Sequence, residues 1–166
     1  QNILDHLFDT LYHYIHAGLL ADKTKHEAEM KRRRIRWIDL VWVDLYDLAN
    51  EISRPGADVE SVRGKTDVGG PTMLHGAAKG RRIVLSSHDQ CRPVLDWIAK
   101  GEPNSELVCL ALAAEADRVA GEHIMASAKF LKSGVMALYP ENDQSVDPTV
   151  MAVLNTAVFE TTTFKA

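Results

Sequence analysis

The sequence predicts an all-α fold, a single-domain bundle of five or six helices with two long central helices. Apolar residues recur every three or four positions over long stretches, helix start and stop signals separate those stretches, and strand patterns are nearly absent. With 166 residues, 46% of them hydrophobic, the chain can bury one substantial core. We therefore expect one domain over residues 1–166, with a Gly/Pro-rich loop at about 54–72.

The first two predicted helices occupy the N-terminal third of the chain. Residues 2–22 carry leucines at helical spacing, which is typical of a helix with one buried face. Thr24 and Glu27 have the spacing of a capping box, so a second helix is predicted to begin there and to reach Ser53. Pro55 and the glycine after it would stop that helix. Its apolar residues cover about half of the helix circumference at ~100° per residue, which predicts a central position.

The middle of the chain alternates between breakers and short apolar stretches. Residues 54–72 contain six glycines and prolines among charged side chains, and long loops of this kind are usually functional or mobile. Residues 72–87 are predicted to be helical, with a short strand over 81–87 as the alternative. A short helix should begin near Pro93 and end before Gly101.

Two further helices are predicted in the C-terminal part. An alanine-rich helix should run from Asn104 or Ser105 to about Tyr139, where Pro140 breaks it. Asp147 followed by a proline is typical of a helix start, so a final helix is expected over residues 148–162.

The charge of the chain is strongly uneven. Its net charge of −4 results from a cancellation, because residues 23–36 hold seven basic and two acidic side chains while residues 101–166 hold four basic and nine acidic ones. Arginine suits phosphate because its guanidinium offers several donors in one plane. We expect a stripe that binds a nucleic-acid backbone without sequence preference if the fold brings together the following basic residues: Lys31, Arg32, Arg33, Arg36, Arg63, Lys65, Lys79, Arg81 and Arg82.

Histidines provide the alternative chemistry. The first helix carries Asp5, His6, Asp9, His13 and His16 on the side opposite its leucines, which is compatible with a metal or acid–base site, although a plain polar surface is favoured. His123 projects from the apolar face of the alanine-rich helix. It is predicted to be a core histidine bonded to a backbone carbonyl or a side chain, with a functional role as the alternative.

Two other motifs give weaker signals. Gly64, Lys65 and Thr66 resemble the end of a phosphate-binding loop, but Val59 stands where that loop needs its first glycine. Cys91 and Cys109 are too few for a disulfide scaffold or a four-thiolate zinc site, and Cys109 is expected to be an inert residue on an apolar helix face.

The charge pattern leads to a non-enzymatic prediction. We expect a helical assembly subunit, coat-like or nucleocapsid-like, that forms homo-oligomers through complementary charged surfaces and contacts nucleic acid through phosphates. One alternative is a helical-bundle enzyme or metal protein that uses His123 or the Asp9, His13 and His16 face, and another is a monomeric interaction module whose groove contains Trp37 and Trp42.

The sequence also sets expectations for the surroundings of the protein. No cofactor and no metal site are predicted. A membrane span is not predicted either, because no apolar stretch approaches the ~18 residues that a span requires. The low cysteine content favours an intracellular, reducing compartment or an assembled particle.

Overall fold

The computed structural model describes residues 10–138 and 146–159. Most of them are helical, and a small parallel sheet lies among the helices. The helices are α1 (His13–Leu20), α2 (Glu27–Arg33), α3 (Leu48–Ser53), α4 (Val59–Lys65), α5 (Gly69–Lys79), α6 (Cys91–Ala99), α7 (Ser105–Leu138) and α8 (Pro148–Leu154). A short 3-10 turn, His88–Gln90, precedes α6, and a π-helical turn, Asn155–Phe159, follows α8.

The sheet consists of β1 (Leu40–Trp42) and β2 (Ile83–Leu85), which pair in parallel with Val41 opposite Val84. The all-α prediction is therefore only partly right. The predicted helix over residues 24–53 is instead three elements, α2, β1 and α3. Arg34 ends α2 in the left-handed conformation, with φ at 57°, and the chain then runs extended into the sheet. A short apolar run fits a buried strand as well as a helix, which explains the error.

The predicted loop over residues 54–72 is also wrong, because it contains α4 and the start of α5. Asp58 caps α4 by accepting a hydrogen bond from the backbone N–H of Ser61, and the Ser61 hydroxyl interacts with the backbone N–H of Asp58 in return. Residues 72–87 contain both the predicted helix and the alternative strand, one after the other. The helix continues to Lys79, and the strand alternative holds for β2.

The C-terminal helices follow the sequence prediction closely. α6 ends before Gly101, whose φ of 81° is the left-handed conformation that glycine adopts easily. α7 spans 34 residues. Asp147 caps α8 by accepting from the backbone N–H of Thr149. The predicted first helix is present from His13 to Leu20, while residues 2–9 and the predicted last turns beyond residue 159 lie outside the described part.

α5 lies at the centre of the fold, between α1, the sheet and α7. Its buried residues Leu74 and Ala77 share one core with Leu19 of α1, Val84 of β2 and Ala116 of α7. This packing fixes the start of α5 beside the carboxyl end of β1. Within the described ranges, no helix is both long and apolar enough to cross a lipid bilayer.

Candidate functional site

A cleft of about 540 Å³ opens where β1 ends and α5 begins. In open sheets with parallel strands, ligands commonly bind outside the carboxyl ends of the strands. We call this the strand-end cleft, and it is lined by Thr10, Trp42, Val43, Asp44, Tyr46, Gly64, Thr66, Asp67, Val68, Gly69, Gly70 and Met73.

Two glycines let the start of α5 approach its neighbours closely. A Cβ atom on Gly69 would lie 1.9 Å from the hydroxyl oxygen of Thr10, and one on Gly70 would lie 2.5 Å from Cδ2 of Leu45. Both distances are far below van der Waals contact. A larger residue at either position would therefore require the neighbouring side chain or the helix to shift.

Asp67 holds the wall of the cleft in place through two hydrogen bonds. Its carboxylate accepts from the backbone N–H of Gly70 at 2.8 Å, which satisfies one of the free N–H groups in the first turn of α5. Its own backbone N–H donates to Nε2 of His123 on α7 at 2.9 Å. One residue therefore connects the cleft, the start of α5 and the long helix α7.

Acidic and phenolic groups dominate the polar lining of the strand-end cleft. Asp44, directly after the buried Val43, contributes one exposed carboxylate, and Asp67 contributes a second that is partly buried. Tyr46 is 57% exposed and presents a phenol, with the ammonium group of Lys65 5.8 Å from its ring centre. Carboxylates accept hydrogen bonds from N–H groups, and a phenol can both donate and accept. Such a cleft suits a ligand that is rich in nitrogen donors.

Trp42 provides an aromatic wall at the same end of β1. Its side chain is 50% exposed, and its ring centre lies 5.8 Å from that of His88 in a tilted arrangement. An exposed indole offers a flat face on which a planar ring can stack. Trp42 was predicted to belong to a groove that binds a partner; the structure places it in the strand-end cleft, while Trp37 lies against the guanidinium group of Arg82.

The basic residues singled out by the sequence lie on several different elements of the fold. Arg32 and Arg33 of α2 both pair with Glu29, at 3.9 and 2.8 Å, and Arg63 of α4 pairs with Glu60 at 3.1 Å. Lys65 is the last residue of α4 and Lys79 is the last residue of α5. Lys31 is exposed on α2, while Arg36 and Arg81 are exposed in the segments before β1 and β2.

Arg82 has a structural role. It is 7% exposed, and its guanidinium group donates to the backbone carbonyl of Leu19 at 2.7 Å and to that of Ala21. These two bonds satisfy carbonyl groups at the end of α1. Arg82 therefore supports the fold from a buried position, whereas for the exposed basic residues phosphate contact stays a prediction.

The predicted histidine sites have different outcomes. His123 is buried, as predicted, but its partner is a backbone N–H group and not the predicted carbonyl or side chain; burial lowers the pKa of its imidazole. His13 is exposed beside Tyr12 and Tyr14, and Nε2 of His16 is buried with no partner among the described residues. Asp5, His6 and Asp9 lie outside the described part, within which no three potential metal ligands come together.

Both cysteines are free thiols and partly buried. Burial raises the pKa of the Cys109 thiol, and the nearby carboxylate of Glu102 adds to the effect. A raised pKa keeps a thiol protonated and slow to react, in agreement with the expectation of an inert residue.

The acidic residues of the strand-end cleft were missed by the sequence reasoning. Asp44 and Tyr46 were assigned to the polar and apolar faces of a long helix, and Asp67 to a loop. The apolar run that ends at Val43 is the signal that could have revealed them. If this run is a buried strand, the polar residues that follow it lie at the carboxyl end of that strand.

The described residues form a mostly helical fold with a small parallel sheet and a cleft at its strand ends. No family model matches the chain. The crystal structure of ForH superposes with a TM-score of 0.68 at 33% sequence identity, and the match covers 79% of this chain and 69% of the ForH chain. The chain belongs to the same family as ForH.

The chain is also similar to a protein whose name states a metabolic role. The chain is 34% identical over 143 residues to the bifunctional purine biosynthesis protein PurH of Lactobacillus delbrueckii subsp. bulgaricus. The match covers 84% of this chain but spans only 28% of the length of PurH.

These similarities correct the functional prediction. A family that includes ForH and resembles a biosynthetic protein points to an enzyme. The expectation of a non-enzymatic, coat-like, self-assembling subunit that binds RNA is wrong. It rested on clusters of basic residues, of which Arg32, Arg33 and Arg63 pair with acidic side chains of their own helices. Homo-oligomer formation, which nothing in the fold tests, stays a prediction.

Proposed function

We propose that the chain forms the ligand-binding part of a purine-biosynthesis enzyme and holds a purine nucleotide, or a biosynthetic precursor of one, in the strand-end cleft. The observation that carries this proposal is the convergence of Asp44, Tyr46 and Asp67 at the carboxyl end of β1. The similarity to PurH supports it by naming a purine pathway for a relative of the same segment.

The lining of the cleft matches the chemistry of such a ligand. Purines and their precursors are flat and carry amino or amide N–H groups, which carboxylates accept well. The exposed faces of Trp42 and Tyr46 offer stacking surfaces for the ring. Lys65, close to Tyr46, places a cation at the rim where a phosphate group would need one.

The same residues can also move protons. The phenol of Tyr46, in a cleft that also contains two carboxylates, can donate a proton to a ligand atom or accept one from it. Asp67 is fixed at both its backbone and its side chain, so its carboxylate keeps one orientation towards the ligand. We therefore assign Asp44 and Asp67 to ligand recognition and Tyr46 to proton transfer.

Calorimetric titration with AMP, used as a simple purine nucleotide probe, tests the proposal. We expect AMP to bind, and Asp44→Asn or Asp67→Asn to weaken binding about 10- to 100-fold, the cost of losing a hydrogen bond to a charged group. Asp96→Asn is the matched control, because Asp96 lies on α6 and pairs with Arg92 outside the cleft. Undetectable AMP binding to the wild type, or equal affinities in all variants, would refute the proposal.

A further inference from the structure

Two contacts from α7 fix the segment that connects α4 to α5. Nε2 of His123 accepts from the backbone N–H of Asp67, and one turn further along α7 the hydroxyl of Ser127 lies 3.4 Å from that of Thr66. The Thr66 hydroxyl also bonds to the Val62 carbonyl at 2.9 Å. Thr66 and Asp67, which lie between α4 and α5, thus contact two residues on the same face of α7.

The stronger of these contacts requires one particular form of the imidazole. A backbone N–H can only donate, so Nε2 must carry the lone pair and the ring must be neutral, with its proton on Nδ1. His123 is 8% exposed, so water cannot readily replace the bond if it is lost. Any residue that replaces His123 must therefore place a hydrogen-bond acceptor where Nε2 now lies.

Asp67 connects the hydrogen bond from His123 with the cleft. Its backbone N–H faces α7, while its carboxylate bonds to the backbone N–H of Gly70 and lies against the start of α5. Because the backbone N–H and the carboxylate belong to the same residue, a displacement of the Asp67 backbone moves its carboxylate relative to the backbone N–H of Gly70. A change at residue 67 must therefore alter the carboxylate.

We propose that His123 is a positioning residue of the strand-end cleft, which sets the orientation of the Asp67 carboxylate by accepting the backbone N–H of that residue. His123 does not line the cleft and acts only through Asp67. The statement that this orientation serves a ligand rests on the proposed function. The coupling between His123, Asp67 and Gly70 does not.

Amide hydrogen exchange measured by NMR tests the coupling without any ligand. Glutamine can place its carbonyl oxygen near the position of Nε2, whereas the side chain of asparagine is too short. We expect His123→Asn to raise the exchange rates of the Asp67 and Gly70 amides at least about tenfold, and His123→Gln to keep both within about threefold of the wild type. His75→Gln is the control, because His75 is an exposed histidine paired with Asp117.

The outcome pattern separates positioning from general packing. Selective exposure of the two amides in His123→Asn, with amides of α6 unchanged, supports the proposal. Equal rates in the Asn and Gln variants, a Gly70 amide that does not respond, or a uniform rise across the protein would overturn it.

An AMP titration of the same variants then links the coupling to binding. We expect His123→Asn to lose at least about tenfold in AMP affinity and His123→Gln to stay within about threefold of the wild type. If AMP binds and depends on Asp67 but ignores both His123 variants, the positioning role is refuted. If no variant binds AMP while the amides respond as expected, the proposed function fails and the coupling stands.

Discussion

Nε2 of His123 lies 2.9 Å from the backbone nitrogen of Asp67, which is 56 residues earlier in the chain. The bond joins the middle of α7 to the residue whose carboxylate caps α5. Burial lowers the pKa of His123, although the carboxylate of Asp67 partly opposes that shift. A neutral imidazole is also what the bond requires, so burial and hydrogen bonding favour the same protonation state.

The lowered pKa of His123 predicts that the protein loses stability in mild acid. The unfolded chain takes up a proton at this histidine below a pH of about 6.5, whereas the folded chain takes it up only at lower pH. The free energy of unfolding should therefore be fully retained above about pH 6.5 and fall as the pH drops below it, by at most about 1.4 kcal/mol per pH unit from this group. Urea unfolding at pH 7, 6 and 5 measures the fall.

His123→Gln isolates this contribution, since the amide does not titrate and the remaining histidines are unchanged. The variant should show a shallower loss of stability between pH 7 and pH 5 than the wild type. Parallel pH profiles for the two proteins would show that His123 does not contribute.

The sequence predicted the helices well wherever capping residues mark their ends. Asp147 caps α8 as expected, and Gly101 follows α6. It failed between Arg34 and Val43, because the apolar residues there fit the broad face of a helix and a buried strand equally well. Only the parallel pairing with β2, more than 40 residues later, decides between the two.

The candidate site was missed for the same reason. An aspartate such as Asp44 has no distinctive neighbours in sequence, and it becomes notable only once β1 is known to end beside it. Arg82 shows the opposite error, because an arginine in a basic run was interpreted as a ligand for phosphate. Its real partners, the carbonyls of Leu19 and Ala21, lie about 60 residues away in sequence, and local patterns cannot reveal them.

Replacement of Arg82 should destabilise the fold strongly. Arg82→Met keeps most of the side-chain volume but removes both hydrogen bonds to the end of α1, which leaves a buried carbonyl unsatisfied. We expect a loss of about 2–4 kcal/mol in the free energy of unfolding, measured by urea denaturation.

Arg92→Met serves as the matched control for Arg82. The Arg92 side chain is 85% exposed and pairs only with Asp96 on the same helix, so its removal should change stability by less than about 0.5 kcal/mol. Similar losses in the two variants would mean that the carbonyl contacts of Arg82 contribute little.

Substitution by alanine is expected to have opposite effects on stability at Gly70 and at Gly121. Both are helical, but a Cβ on Gly70 would lie 2.5 Å from Cδ2 of Leu45, whereas one on Gly121 of α7 would meet nothing within 4 Å. Gly70→Ala should cost about 1–3 kcal/mol through overpacking. Gly121→Ala should stabilise the protein by roughly 0.5–1 kcal/mol, because alanine loses less backbone entropy in a helix.

Thermal and urea unfolding of these two variants measure the difference, and AMP titration adds the functional consequence. Gly70→Ala should also weaken AMP binding, because the displaced Asp67 carboxylate lines the strand-end cleft, while Gly121→Ala should leave AMP affinity unchanged. A Gly70→Ala protein as stable as the wild type would show that the side chains of Leu45 and Asp67 make room for the methyl group, and it would contradict the expected overpacking.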